Sequence, residues 1–106
     1  MRKARIYYSM KFAGVLSEEE DGYRFVYDDA YLGLPDAHPV SLTLPLTQKD
    51  YTSKTMFPFF DGLIPEGWLL DISVKNWKLS PSDRMGLLMA CCRDCIGVVS
   101  VEPINE

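Results

Sequence analysis

Three cysteines lie close together near the end of the chain, at Cys91, Cys92 and Cys95. Structural zinc sites use four ligands, commonly two pairs of cysteine or histidine at short spacing. This cluster supplies half of such a set, and the single histidine, His38, lies far earlier in the chain. Because free cysteine packs like a small apolar side chain, the pattern favours buried thiols. We therefore expect no metal and no cofactor, with a thiol- or zinc-dependent activity as a distant alternative.

His38 lies between Ala37 and Pro39, in a segment rich in turn-forming residues. A catalytic histidine needs a nucleophile on one side and an orienting acid on the other. Asp36 is close in sequence, but no nucleophile motif such as G-x-S-x-G is present, and the phosphate-binding and kinase motifs are missing as well. The sequence thus predicts neither a hydrolase nor a complete kinase, and we expect a protein that is not an enzyme.

The charge and hydropathy patterns indicate whether the chain is expected to contact nucleic acid or a membrane. The chain has 106 residues and a formal net charge of −4, and its basic cluster at residues 2–5 is outweighed by the acidic run at residues 18–21. Nucleic-acid binding needs a basic surface, so no direct contact with nucleic acid is predicted. No apolar run approaches the roughly 20 residues that span a bilayer, and no signal peptide is recognisable. We expect one domain, residues 1–106, located in the cytoplasm and not in a membrane.

Alternating apolar residues predict strands in the first part of the chain. Residues 3–16 are predicted to form one strand or a hairpin, with Ile6, Tyr8 and Met10 on one face. A second alternating set consists of Tyr23, Phe25 and Tyr27. Residues 28–39 are predicted to be a loop, residues 41–44 a short strand closed by Pro45, and residues 47–54 irregular.

Helical patterns follow from Thr55 onward. Pro65 suits the first turn of a helix that would run to about Trp77 or Lys78. Ser80 is a predicted N-cap, with Pro81 next and Asp83 three residues on. The apolar face of that second helix would contain Met85, Leu88, Met89 and Cys92, and residues 97–101 are predicted to form a last strand, stopped by Pro103. Strands followed by helices and a closing strand predict an α+β fold: a small, strongly twisted antiparallel sheet packed with two or three short helices.

The helix predicted from Pro65 carries apolar residues on two opposed faces. At about 100° per residue, Leu70, Val74 and Trp77 fall on one side, whereas Trp68 and Ile72 fall on the other. Such a helix is either enclosed in the core or presents one face to a partner, and tryptophan is enriched among binding hot spots. The alternative is that Trp68 is buried against the sheet or against the aromatic residues 57–60.

Three stretches resemble, in order and spacing, the signatures of the HipA N-terminal subdomain family. They are PVSLTLPL at residues 39–46, FPFFDGLIPEG at 57–67 and DCIGVVSV at 94–101. In that family the subdomain precedes a serine/threonine kinase that phosphorylates an aminoacyl-tRNA synthetase and pairs with the DNA-binding antitoxin HipB. Since the chain ends at Glu106, about where the kinase would begin, it resembles a free-standing, HipS-like subunit of three-component HipBST systems. Three positions depart from the family pattern: cysteines replace small residues at 92 and 95, and an aromatic residue stands at Trp68.

The resemblance implies an antitoxin that binds and inhibits a HipT-like kinase toxin, within a complex that also holds a HipB-like DNA-binding protein. The alternative is a scaffold that bridges kinase and repressor without inhibiting. Acid–base chemistry is not expected from Asp61 or Glu66, because Glu66 would lie in a first helical turn, where its charge offsets the dipole. The predicted partner-binding residues are Phe57, Phe59, Asp61, Leu63, Ile64, Pro65, Glu66, Trp68 and Ile72.

Overall fold

The computed structural model describes residues 2–64, 82–91 and 98–104. Within these residues, five strands form one antiparallel sheet in the spatial order β4-β3-β2-β1-β5. The strands are β1 (Lys3–Tyr8), β2 (Lys11–Glu19), β3 (Gly22–Tyr27), β4 (Asp50–Ser53) and β5 (Val99–Pro103). The described helices are α1 (Asp29–Leu32), α2 (Pro58–Asp61) and α3 (Arg84–Cys91). The α+β fold in a single domain, predicted from the order of the patterns, is confirmed.

The stretch at residues 3–16 is a hairpin whose turn residues are Ser9 and Met10. Both have a positive φ, 51° and 68°, so the backbone is left-handed at two consecutive residues that are not glycine. The prediction that Met10 continues the buried face was wrong, because β1 ends at Tyr8 and Met10 lies in the turn, 94% exposed. A bulge at Ala13 follows, since Ile6 pairs with Gly14 whereas Tyr7 pairs with Phe12.

One face of the sheet carries the core. Alternate residues of β1, β2 and β3 point into it, among them Ile6, Leu16, Phe25 and Tyr27, all nearly or fully buried. The helices cover this face, and Met85, Leu87 and Leu88 of α3 are fully buried there. Of the predicted apolar face of the second helix, Met85 and Leu88 are buried in the core and Met89 packs against it, whereas the predicted face did not include Leu87.

Two predictions between β3 and α2 were wrong. Residues 41–44 form a turn and not a strand, with the Leu44 amide donating to the Ser41 carbonyl at 3.0 Å. The strand lies instead at β4, within the polar stretch expected to be irregular, where Asp50 pairs with Val26 at the edge of the sheet. The loop predicted at residues 28–39 contains one helical turn, α1, whose first turn is capped by the Asp28 carboxylate accepting from the Tyr31 amide at 3.3 Å.

Helix α3 begins at Arg84, and its capping residue is Asp83, whose carboxylate accepts from the Gly86 amide at 3.1 Å. The predicted N-cap at Ser80 was therefore three residues too early, because the carboxylate one position before the helix satisfies the free amide. The helix predicted from Pro65, and the residues Ser80, Pro81, Cys92 and Cys95, lie outside the described residues.

Candidate protein-docking surface

An open groove with a volume of about 370 Å³ lies between the start of the 39–46 segment, helix α2 and the first residues of β5. We call it the apolar groove. Among the described residues its lining is Tyr8, Pro39, Val40, Ser41, Leu42, Phe59, Leu63, Val98 and Val99. None of these side chains is charged, although 25% of the chain consists of charged residues. Another protein can cover a surface without charges at low cost, because no charged side chain has to lose its contact with water.

The rim of the apolar groove displays large apolar side chains to solvent. Leu42 is 95% exposed and Val98 is 55% exposed. Single exposed apolar residues are common on protein surfaces and need no explanation. Two of them at the rim of one uncharged groove form a contiguous patch, which is typical of an interaction site.

Three tyrosine hydroxyls hold the backbone of residues 38–45, which we call the tyrosine-held loop. The Tyr27 hydroxyl accepts from the Val40 amide at 3.0 Å and donates to the Leu44 carbonyl. The Tyr31 hydroxyl donates to the carbonyl of His38 at 2.6 Å and accepts from the amide of the same residue at 3.2 Å. A third contact closes the loop, as the hydroxyl of Tyr51 donates to the carbonyl of Pro45 at 2.5 Å.

The tyrosines themselves are fixed by the core. The rings of Tyr27 and Tyr31 are nearly parallel, at 3°, with centroids 6.1 Å apart, and Phe25 packs edge-on against Tyr27 at 4.8 Å. Burial raises the pKa of Tyr27 to about 12, and it also raises the pKa of Tyr31. Both hydroxyls therefore keep their protons near neutral pH and can donate to the loop carbonyls.

The structure divides the predicted partner-binding residues into two groups. Phe57 and Ile64 belong to the core, at 7% and 3% exposure. Phe59 and Leu63 line the apolar groove, and Asp61 is half-buried and forms an ion pair with Arg84 at 2.5 Å. The remaining predicted residues, Pro65, Glu66, Trp68 and Ile72, lie outside the described residues. Partner binding by all of them stays a prediction.

Sequence reasoning missed Leu42 and Val98 as surface residues. Leu42 was assigned to a strand because serine, leucine, threonine and leucine alternate at residues 41–44. The signal that favoured a loop was the pair Pro39 and Pro45 on either side, since proline commonly bounds loops. The exposure of Leu42 depends on contacts with tyrosines distant in sequence, which no local pattern contains.

A second cavity of about 260 Å³ adjoins the apolar groove and shares Tyr8 and Val98 with it. There the His38 ring lies 5.7 Å from the Tyr8 ring, and Lys11 pairs with Asp36 at 2.8 Å. In the part of the chain that the structure describes, no three histidine, cysteine or acidic residues are grouped so as to hold a metal ion. Among those same residues, no helix is long and apolar enough to cross a bilayer.

Residues 4–102 match the model of the family described as the HipA N-terminal domain. The chain belongs to this family. The family predicted from the three sequence signatures is thereby confirmed. A HipA N-terminal domain is not catalytic by itself, which accords with the absence of kinase motifs from the sequence.

Two relatives are similar to this chain over nearly its whole length, and the match covers very different shares of the two proteins. A Haemophilus influenzae (strain ATCC 51907 / DSM 11121 / KW20 / Rd) protein named "Uncharacterized protein" is 30% identical over 102 residues, covering 96% of this chain and 92% of that protein. A Sinorhizobium fredii (strain NBRC 101917 / NGR234) protein named "Putative kinase Y4mE" is 24% identical over 107 residues, covering 100% of this chain but only 26% of that protein.

A solved structure described as "N-terminal domain of HipA toxin" has the same fold. It superposes with a TM-score of 0.76 at 27% identity and covers 100% of this chain and 95% of that one. The sheet and helices described above are therefore those of a HipA N-terminal domain.

Proposed function

We propose that this chain is a non-catalytic antitoxin subunit, which binds and inhibits a HipA-like (HipT) serine/threonine kinase toxin in a complex with a HipB-like DNA-binding protein. The family relation suggests a toxin–antitoxin context. The observation that carries the proposal is that the same domain is found in a short relative and in a much longer one. It makes up almost the whole of the Haemophilus protein but about a quarter of the Sinorhizobium protein named as a kinase.

A domain that is joined to a larger chain in one protein and makes up nearly all of another has a natural partner in the rest of the larger chain. When the two are joined, the linker supplies a high effective concentration, and weak contacts are enough. When they are separate, the contacts alone must supply the affinity, and stable interfaces bury about 800 Å² on each partner. The uncharged apolar groove, with Phe59 and Leu63 in its lining, offers surface of the kind that such an interface needs.

The partner-binding segment predicted at residues 57–72 overlaps this surface at its start. Its first part contributes Phe59 and Leu63 to the apolar groove. We place Trp68 in the same contact, where binding would inhibit in one of two ways. Trp68 would occupy or distort the nucleotide cleft of the kinase, or the contact would hold the kinase in an inactive arrangement. Both modes stop phosphoryl transfer, and they differ in whether nucleotide still binds to the inhibited kinase.

The test uses the HipA-like kinase encoded nearest to this chain's gene. The purified wild-type chain is expected to bind the purified kinase and to abolish its phosphorylation activity, and co-expression is expected to restore growth. Trp68→Ala is expected to lose neutralisation, with Met10→Ala as a matched control on an exposed side chain. Absence of binding by the wild type overturns the proposal. Binding with unchanged phosphorylation overturns inhibition and leaves the scaffold role.

A further inference from the structure

Leu42 combines two properties that rarely occur together on a protein surface. Leu42 is 95% exposed, as residues at the tips of mobile loops commonly are. Its backbone, however, belongs to the tyrosine-held loop, in which five hydrogen bonds between the loop backbone and three tyrosine hydroxyls fix residues on both sides of it. Surface loops are usually the more mobile parts of a fold, so a large apolar side chain on a fixed loop is unusual.

The residues next to Leu42 leave it free to enter a partner. The hydroxyls of Ser41 and Thr43 lie 3.0 Å apart and bond to each other, and the Thr43 amide donates to the Ser41 hydroxyl at 3.3 Å. No charged residue occurs anywhere in residues 39–46. Because the side chains of Ser41 and Thr43 are short and hydrogen-bond to each other, another protein surface can approach Leu42 closely. No charged group of this loop segment has to lose its hydration when that surface binds.

We propose that Leu42 is an anchor which the tyrosine-held loop inserts, already in its bound conformation, into an apolar pocket of the kinase. The identity of this partner rests on the proposed function. The chemistry of the partner site follows from this chain: on a protein of net charge −4, residues 39–46 and the lining of the apolar groove contain no charged side chain, so the matching surface is apolar. The longer Sinorhizobium relative, of which this domain is 26%, provides the chain that would carry such a pocket.

A preformed loop increases affinity because little conformational entropy is lost when it binds. In this arrangement Leu42 contacts the kinase, whereas Tyr31 is a positioning residue that acts through the loop. The two roles make different predictions. Truncation of Leu42 removes the contact itself, and removal of the Tyr31 hydroxyl loosens the loop but leaves the contact side chain in place.

The first experiment measures the Kd for the purified kinase by calorimetry. Leu42→Ala is expected to raise the Kd by about tenfold, equivalent to about 1.4 kcal/mol, and Leu42→Asp by more. Met10→Ala and Met10→Asp are the matched controls, because Met10 is 94% exposed and does not line the apolar groove; they are expected to stay within about twofold. Circular dichroism checks that each variant is folded.

These outcomes separate the two proposals. If the wild type does not bind the kinase, the proposed function fails. If the wild type binds and inhibits the kinase and folded Leu42→Asp binds equally well, the anchor fails while the proposed function stands. Should the Met10 variants weaken binding as much as the Leu42 variants do, the specific role of Leu42 is overturned.

The second experiment tests the preformed conformation with Tyr31→Phe. This change removes the acceptor of the His38 amide and the donor to its carbonyl, yet keeps the ring that stacks on Tyr27. Amide exchange at His38 is expected to accelerate, and the Kd to rise by about threefold. In a Leu42→Ala background the same change is expected to have a smaller effect on the Kd. Faster exchange with an unchanged Kd, or an equal effect in both backgrounds, would overturn the positioning role.

Discussion

The guanidinium of Arg2 donates to both carboxylate oxygens of Asp83, at 2.7 and 3.0 Å, although the two residues are 81 positions apart. The same guanidinium donates to both carboxylate oxygens of Glu18, again at 2.7 and 3.0 Å. Asp83 in turn caps helix α3 through the Gly86 amide. A β-carbon at Gly86 would collide with the Asp83 carboxylate, so the glycine leaves room for this cluster. One arginine therefore joins the residue preceding β1, the end of β2 and the start of α3.

Arg2→Met is expected to lower the free energy of unfolding by about 1 kcal/mol. The two bidentate contacts are stronger than a single ion pair, but the Arg2 side chain is 39% exposed, and solvent reduces their contribution. Methionine keeps part of the apolar stem and removes only the charged head. Urea unfolding followed by circular dichroism measures the difference.

Arg5→Met serves as the control for this variant. Arg5 makes one longer contact, 3.3 Å to Glu102, and both side chains are about half exposed. Its replacement is expected to change the free energy of unfolding by less than about 0.5 kcal/mol. Equal losses for the two variants would contradict the special role of Arg2.

Stability is expected to fall in acid, and Arg2 should account for part of that fall. The Arg2 guanidinium holds the pKa of Glu18 and of Asp83 below their ordinary values of 4.5 and 3.8. A lowered carboxyl pKa in the folded state stabilises the fold at pH values above the ordinary value, and this contribution is lost as the pH falls below it. Urea unfolding at pH 7 and near pH 3 measures the loss.

The same series with Arg2→Met provides the comparison. Its stability should change less between the two pH values than that of the wild type. The Arg2→Met variant should still lose some stability in acid, because Lys11 lowers the pKa of Asp36 and Arg24 lowers the pKa of Asp50. An identical pH dependence in both proteins would contradict the assignment.

The Tyr27 hydroxyl is expected to contribute to stability near neutral pH and to lose that contribution in alkali. Tyr27→Phe leaves the Val40 amide and the Leu44 carbonyl without their partner, which should cost about 1–3 kcal/mol. Because burial raises the pKa of Tyr27 from 10.0 to about 12, its contribution is complete below pH 10 and decreases as the pH rises toward 12. Tyrosinate absorbance should therefore show a tyrosine that titrates at about pH 12, and Tyr27→Phe should remove that step while other tyrosines with a raised pKa, such as Tyr31, remain.

The β1–β2 turn offers a stabilising change. Ser9 and Met10 both occupy left-handed backbone conformations, which asparagine and glycine adopt at lower cost. The double variant Ser9→Asn, Met10→Gly is expected to raise the free energy of unfolding by about 1 kcal/mol. A lower free energy of unfolding in the double variant would contradict left-handed backbone conformations at both turn residues. The single variant Met10→Gly, measured in parallel, shows how much of the gain in stability comes from position 10.

The strands that face the core were predictable, because one buried face imposes a period of two on Tyr23, Phe25 and Tyr27. Strand β4 was not, since an edge strand pairs through its backbone and tolerates polar side chains such as those of Asp50 and Thr52. Residues 41–44 mimicked a strand by alternation alone. Their turn is decided by tyrosine hydroxyls from other elements, contacts that a local pattern does not contain.

The candidate surface was predicted in part. The segment containing Phe59 and Leu63 was selected from the sequence, and both residues line the apolar groove. Phe57 and Ile64 in the same segment are buried in the core instead, and they lie on either side of helix α2 and not within it. Leu42 and Val98 reach the groove from distant parts of the chain, and only the three-dimensional packing brings them together.

The sheet order places β1, the first of the described strands along the chain, between β2 and β5, the last of them, with Ala4 opposite Pro103. During translation β1 therefore keeps an open edge until residues 99–103 have left the ribosome. An open edge beside an apolar residue such as Ile6 is a template for pairing with a foreign strand. Ribosomes that stall before residue 99 would release a chain whose uncovered β1 edge is prone to pair with other chains, and strand β5 covers this edge once it is made.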